Sequence, residues 1–412
     1  MKIESHVLSK GYNPEWSEGS VKSPIFMSST FVFRNAQEGK RFFEIAYGKV
    51  TQEPTEQLGL IYSRLNNPNM QILEERLALL EETEDAAVFE SGMAAISTVM
   101  LTHLRPGDVL LFSNPIYGGT HHFIHHFLTS VGVIVRSIGV LETSDEIMET
   151  LREEGLSDKV KMIYVETPAN PTNTLFDLAD LGRLKDMLQR ECEHPVFYVV
   201  DNTYLGPIWQ KPMAFGADLV CYSATKFLNG HSDIIAGAVM GKTEHVSAVK
   251  GLRTFLGSMM SPHTAWVLTR SLETLYLRMN RQGENACKVY EFLKEQPQIS
   301  RVLFPGQSDD ARQRRIYAEQ CLGAGAMISF EVRGGEKAAF AVLDALKMIK
   351  LAVSLGSNES LAQHPFTMTH ADVPDDEKNN LGLTEGLIRL SVGIEHPDDI
   401  IEDLRQALEA IV

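Results

Sequence analysis

The sequence predicts an α/β protein: a large domain on a mainly parallel seven-stranded sheet, followed by a smaller C-terminal α/β domain. The chain has 412 residues, more than one ordinary core organises. From Glu84 to Lys242 short apolar runs alternate with amphipathic stretches, which is the pattern of βαβ units. Beyond Ser261 that texture gives way to a long amphipathic run and fewer strand candidates.

Seven runs supply the predicted large sheet: Ala86–Phe89, Val109–Phe112, Val133–Val135, Met162–Val165, Phe197–Val200, Leu219–Tyr222 and Ala236–Met240. Each is short, rich in Val, Ile or aromatics, and bounded by Gly, Pro, Asn or Asp. The smaller domain is expected to hold a helical run from Ala265 to Gln296 and strands at Met327–Val332, Leu351–Ser354 and Leu387–Val392. Pro397–Ile411 closes the chain as a helix with acidic residues in its first turn. These signals divide the chain into an extended arm (1–62), a large domain (63–260) and a smaller domain (261–412). Glu74, Glu75, Glu81, Glu82 and Glu84 are expected to line the solvated face of one helix.

Hydrophobic residues make up 44% of the chain and charged residues 22%, with a formal net charge of −16. That balance suits a soluble globular protein and argues against a nucleic-acid surface. The first residues lack the apolar stretch of a signal peptide, and no apolar run approaches the ~20 residues that cross a bilayer. The four cysteines lie far apart with no Cys-x-x-Cys pair, so neither a disulfide framework nor a zinc site is indicated. The expected location is the cytoplasm.

In sheets of this type ligands gather beyond the carboxyl ends of the strands. Tyr222-Ser223-Ala224-Thr225-Lys226 lies there. Burial would lower the lysine's pKa and free its amine to condense with an aldehyde, while Ser223 and Thr225 offer hydroxyls to a phosphate. The plain alternative is a strand-end lysine in solvent. Phe197–Thr203 ends an apolar strand on Asp201. A buried carboxylate needs a partner, and a pyridinium nitrogen would serve; a helix cap is the alternative. Ser91-Gly92-Met93 runs from a strand into a helix, whose outward N–H groups form a phosphate seat. Together the three segments describe a pyridoxal 5'-phosphate site.

The chain also resembles a known family, the trans-sulfuration (Cys/Met metabolism) enzymes that use pyridoxal phosphate. The most specific match is Tyr222–Asp233, reading Tyr-Ser-Ala-Thr-Lys-Phe-Leu-Asn-Gly-His-Ser-Asp. Others are Ile61-Tyr62-Ser63-Arg64, Ser91–Ala95, Tyr117–Thr120, Glu166–Thr172, Glu359–Leu361 and Ile388–Gly393. The resemblance implies an aspartate-aminotransferase-like (fold type I) architecture and a homotetramer of two dimers. It implies that Tyr62 and Arg64 reach the phosphate of a neighbouring subunit's cofactor, a fit of guanidinium to phosphate. Tyr117 would stack on the ring and act as acid or base near the departing sulfur, with Asn170 near the ring hydroxyl. Arg389 would hold the substrate carboxylate beside Val353 and Ser354.

The implied reaction is γ-elimination on L-methionine or L-cystathionine, giving a thiol, ammonia and 2-oxobutanoate. Family members acting on cystathionine usually place an acid where this chain has Val353, and a small apolar side chain suits a methyl thioether better. Leu355 stands near where one type of β-lyase has tryptophan. Members acting on methionine commonly carry cysteine at the position of Gly119, and the region Gly39–Leu60 is longer here than usual. The alternatives are γ-replacement on an O-acylhomoserine (a cystathionine γ-synthase or sulfhydrylase) and cystathionine β-lysis.

Two motifs have other readings. Gly237–Thr243 places three residues between its glycines where a nucleotide P-loop needs four, and reads as a strand with a turn. His121 and His125 share a helical face without a third ligand, so a packing face is expected and no metal.

Overall fold

A computed structural model describes residues 1–46, 48–51, 53, 56, 59–371, 378 and 381–411. The apolar runs form strands β1 (Asp85–Phe89), β2 (Val109–Asn114), β3 (Ile134–Gly139), β4 (Val160–Glu166), β5 (Phe197–Asp201), β6 (Leu219–Tyr222) and β7 (Gly237–Gly241). They lie in the order β1-β7-β6-β5-β4-β2-β3. Only β7 runs against its neighbours; β2 to β6 pair in parallel. Strands β4 to β7 are buried almost throughout, as a sheet covered on both faces requires.

The second sheet holds β8 (Ile299–Leu303), β9 (Met327–Val332), β10 (Lys350–Leu351), β11 (Leu361–Gln363) and β12 (Leu387–Ser391), ordered β10-β11-β12-β9-β8. Two of these strands were not foreseen. Strand β8 exposes Ser300 and Arg301 at the sheet edge, and β11 has three residues. The strand expected over Leu351–Ser354 stops at Leu351, because Ser354 adopts φ 106°, outside the pleated conformation.

Helices depart from expectation in three places. The run Ala265–Gln296 is two helices, Pro262–Leu272 and Leu275–Leu293. They part where Glu273 turns to Lys22 and Arg76. The N-terminal region is not wholly extended: Ala36–Ala46 is helical and buries Phe42 against Phe33, ring centroids 6.4 Å apart. Six residues of the Gly39–Leu60 stretch (47, 52, 54, 55, 57 and 58) lie outside the described residues.

Third, the acidic row is only partly solvated: Glu75, Glu82 and Glu84 are exposed as expected, but Glu74 and Glu81 are buried. Glu74 accepts from the Val88 N–H at 3.2 Å and pairs with Arg253 at 2.7 Å and Lys250 at 3.1 Å. Arg253 also donates to the Val88 carbonyl. These contacts tie β1, which leads into Ser91, to two helices. Removing one member of a buried ion pair leaves an uncompensated charge. Glu74→Ala should therefore cost about 3–5 kcal/mol in urea unfolding, whereas exposed Glu75→Ala should stay within about 0.5 kcal/mol.

Candidate active site

The carboxyl ends of β1, β2, β4, β5 and β6 open on one edge of the large sheet, since β7 reverses direction between β1 and β6. Ser91, Tyr117, Glu166, Asp201 and Lys226 lie at or just beyond these ends. Ser91 caps the helix Gly92–His103 by accepting from Ala94 N–H at 3.0 Å. The N–H groups of Gly92 and Met93 then stand free at the helix start, as geometry dictates for a first turn. A Cβ on Gly92 would meet Ser223 Cβ at 2.9 Å, so only glycine lets this helix end approach Ser223 so closely. Thr225 differs from expectation in orientation: its hydroxyl donates to Ala236 O and accepts from Ala236 N–H.

Lys226 is largely buried and donates to Ser354 Oγ at 2.9 Å. Burial, and then the Arg389 charge, bring its pKa down from 10.5 to about 8. Arg389, on β12 and 3% exposed, donates to Ser354 O at 2.6 Å and Asn170 Oδ1 at 3.1 Å. With its amide oxygen facing the guanidinium, Gln363 accepts from Arg389 as well, at 3.1 and 3.3 Å. Val353 is 57% exposed beside this junction.

Asp201 accepts from Thr203 Oγ1 at 2.6 Å, Thr203 N–H at 3.1 Å and the Tyr164 phenol at 3.1 Å. Glu166, its register partner across β4 and β5, accepts from Tyr117 N–H at 2.7 Å and Asn170 N–H at 3.1 Å. Burial pushes both carboxyls up; Glu166 reaches about 8, raised further by the Asp201 charge. Three donors on Asp201 against two on Glu166 favour placing the negative charge on Asp201.

Hydrogen bonds thus run without a break from Tyr117 through Glu166, Asn170, Arg389 and Ser354 to Lys226. Glu166 and Gln363 were not singled out from sequence. For Glu166 the signal was present, because it ends an apolar strand on a carboxylate as Asp201 does. Tyr117 is 42% exposed, and a Cβ on Gly119 would lie 2.6 Å from its ring. Tyr62 and Arg64 stack on each other, and Arg64 donates to Thr254 O at 2.7 Å. Among the described residues no contact joins either to the chain of bonds ending on Lys226. In the histidine run, the His121 and His125 rings lie 4.3 Å apart and His125 packs edge-on against Phe112.

The residues present fit pyridoxal phosphate: a buried amine of lowered pKa, a buried carboxylate, a helix start beside an open Ser223 hydroxyl, and an exposed phenol. Sheet order, a second smaller sheet and this donor set define a fold-type I pyridoxal-phosphate enzyme. A model of the Cys/Met metabolism PLP-dependent enzymes matches residues 4–409, and the chain belongs to that family. It is 38% identical to an L-methionine gamma-lyase of Pseudomonas putida, over 98% of this chain and 97% of the relative. It is 35% identical to a cystathionine gamma-lyase of Mus musculus, over 97% and 93%. The crystal structure of a cystathionine gamma synthase from Xanthomonas oryzae pv. oryzae, at 32% identity, superposes with a TM-score of 0.88 over 100% of this chain and 98% of that one. Among the described residues no helix is long and apolar enough to cross a membrane.

The lysine's position has a measurable consequence. Between about pH 8 and 10.5 the unfolded chain holds a proton on Lys226 that the folded chain has lost, so stability rises with pH across that window. Below pH 8 the cost of the buried cation is present in full. Cofactor-free Lys226→Met should then be more stable than the parent at pH 7 by about 2 kcal/mol, allowing for the lost Ser354 bond. The gain should vanish by about pH 10.5 in thermal unfolding across pH.

Proposed function

We propose that this protein is a carbon–sulfur lyase that performs γ-elimination on a sulfur amino acid, L-methionine in preference to L-cystathionine. The observation that carries the reading is the meeting of Lys226 and Arg389 at Ser354. It sets an amine of lowered pKa beside a carboxylate anchor, which is what removal of an α-proton from an amino acid requires.

Bound pyridoxal phosphate supplies an aldehyde for the substrate amine and a protonated ring that takes up the electron pair left at Cα. Lys226 is the residue that would hold it, with the N–H groups of Gly92 and Met93 and the hydroxyl of Ser223 around its phosphate, the Thr225 hydroxyl being turned to Ala236. Asp201 would face the ring nitrogen, Asn170 the ring hydroxyl, and Tyr117 the ring face. Arg389 would bind the substrate carboxylate, which takes over N–H groups that here face Gln363. The Lys226 amine takes the α-proton and then moves a proton at Cβ. Tyr117 hands its phenolic proton to the departing sulfur. Val353 presents an apolar wall to the thioether methyl, where an acid would pair with cystathionine's distal ammonium.

Tyr62 and Arg64 are assigned to the phosphate of a neighbouring subunit. Their exposure, and the lack of a contact among the described residues to this chain's own bonded site residues, support that placement, within a cytoplasmic homotetramer of two dimers. The limits of the arm (1–62), the large domain (63–260) and the smaller domain (261–412) belong to the same proposal.

Purified, cofactor-loaded protein incubated with L-methionine should release 2-oxobutanoate, identified by mass. Lys226→Ala should lose at least about 1,000-fold in rate, the work of a catalytic proton carrier. The same product from cystathionine alone would overturn the Val353 assignment. Pyruvate from cystathionine would mean β-lysis, and turnover only of an O-acylhomoserine with a thiol would mean γ-replacement. As a further check, Val353→Glu should shift the kcat/KM ratio toward cystathionine by about tenfold.

A further inference from the structure

Glu166 is buried at the end of β4 and forms no ion pair among the described residues, yet both of its oxygens are occupied. Oε2 accepts from the backbone N–H of Tyr117 at 2.7 Å. Oε1 accepts from the backbone N–H of Asn170 at 3.1 Å. Its own N–H is held by Ser113 Oγ at 2.9 Å, at the end of β2. The carboxyl therefore sits at the end of the β2–β4–β5 layer and gathers two loops that leave β2 and β4 separately. One loop carries the phenol; the other carries Asn170, whose side chain accepts from Arg389. Asp201 lies beside it in register.

Besides the bond from its N–H to Glu166, Tyr117 accepts at its carbonyl from His121 N–H at 2.9 Å, at the start of the helix Gly118–His122. Gly118 rests near Thr369 O, where a Cβ would come to 3.1 Å, and the tyrosine ring lies over Gly119. No hydrogen bond of the Tyr117 phenol exists among the described residues. The bond from its N–H to Glu166 is thus what ties this helix start, and the ring it carries, to the end of β4.

We propose that Glu166 is a positioning residue whose two oxygens join the Tyr117 and Asn170 loops, so that the proton-donating phenol and the Arg389 anchor keep one relative placement. This rests on the reading of the site as one that removes an amino-acid α-proton and expels a sulfur group. Burial of the carboxyl, with its pKa raised to about 8, agrees with a residue kept for what it accepts. A carboxyl oxygen accepts a backbone N–H in either protonation state, whereas the amide NH₂ of glutamine cannot accept at all.

The test is Glu166→Gln in the cofactor-loaded enzyme, read in two ways. Hydrogen–deuterium exchange by mass spectrometry should show the peptide containing Tyr117 or the one containing Asn170 exchanging about five- to tenfold faster, the loss of one hydrogen bond. Peptides elsewhere should keep parental exchange, and the absorbance of bound cofactor should be retained. Loss of the α-proton of L-alanine into deuterium oxide should be nearly parental, since alanine has no leaving group, while kcat for sulfur release falls about tenfold or more. Parental exchange at both peptides, or parental kcat, overturns the proposal. Should the glutamine variant fail to fold, Glu166→Asp decides: it keeps the carboxyl but is one methylene too short to reach both loops. The same local exchange is then expected, and parental exchange with parental kcat overturns the clamp. If the parent itself fails to wash out alanine's α-proton, the reading of the site falls; amide exchange still judges the clamp independently.

Discussion

Two cations end on one serine. Lys226 donates to the hydroxyl of Ser354 and Arg389 to its carbonyl, and much of the molecule can be understood as the means of holding that arrangement. Like charges this close and this buried cannot both persist cheaply, and Arg389 does not give up its proton, so it is the Lys226 pKa that falls. The backbone bears part of the cost: Ser354 sits at φ 106°, a conformation that persists only where the surroundings over-determine it. Gly356 beside it, at φ 75°, leaves no room for a Cβ against Phe227, and Arg278 occupies the space a side chain on Gly230 would need. From there Arg278 donates to the carbonyls of Phe227 and Leu228. The turn that follows the lysine is thus held from the helix Leu275–Leu293.

The carboxylates obey a complementary rule. Asp201 and Glu166 stand side by side at the ends of adjacent parallel strands, a register that parallel pairing imposes on any two strands ending together. Donors divide the labour between them. Asp201 receives two hydroxyls and an N–H, which favour charge, while Glu166 receives backbone alone. A negative group is thereby kept where a ring nitrogen is expected, without a second one competing beside it.

What could be read in the sequence was local. Strand-forming runs, the turn from Ser91 into a helix, the lysine after Tyr222 and the aspartate ending Val199-Val200 each announce themselves within a few residues, and the first sheet's strands fall where those runs predicted. What could not be read depends on neighbours remote in the chain. Glu74 and Glu81 look solvated because helical spacing alone cannot reveal that β1 and the helix Thr243–Leu256 meet Glu74, and that Tyr222 of β6 meets Glu81. The short β11 is defined by its partners, Gln363 lying opposite Arg389, and β8 hides behind its exposed Ser300 and Arg301. The family pattern, by contrast, brought in Arg389 and Asn170, which no local signal would have distinguished from surface polar residues.

The row of hydrogen bonds from Tyr117 to Lys226 crosses between the two sheets and back. Tyr117, Glu166, Asn170 and Lys226 come from the larger one, Arg389 and Ser354 from the smaller. Neither half is therefore a module that evolution or an engineer can exchange freely. A smaller domain grafted from a relative would have to bring its arginine and its strained serine to the same place within a few tenths of an ångström. Inheritance of specificity in such a protein travels with the seam, and new substrates are more easily reached by changing exposed residues along it, such as Val353, than by recombining whole domains.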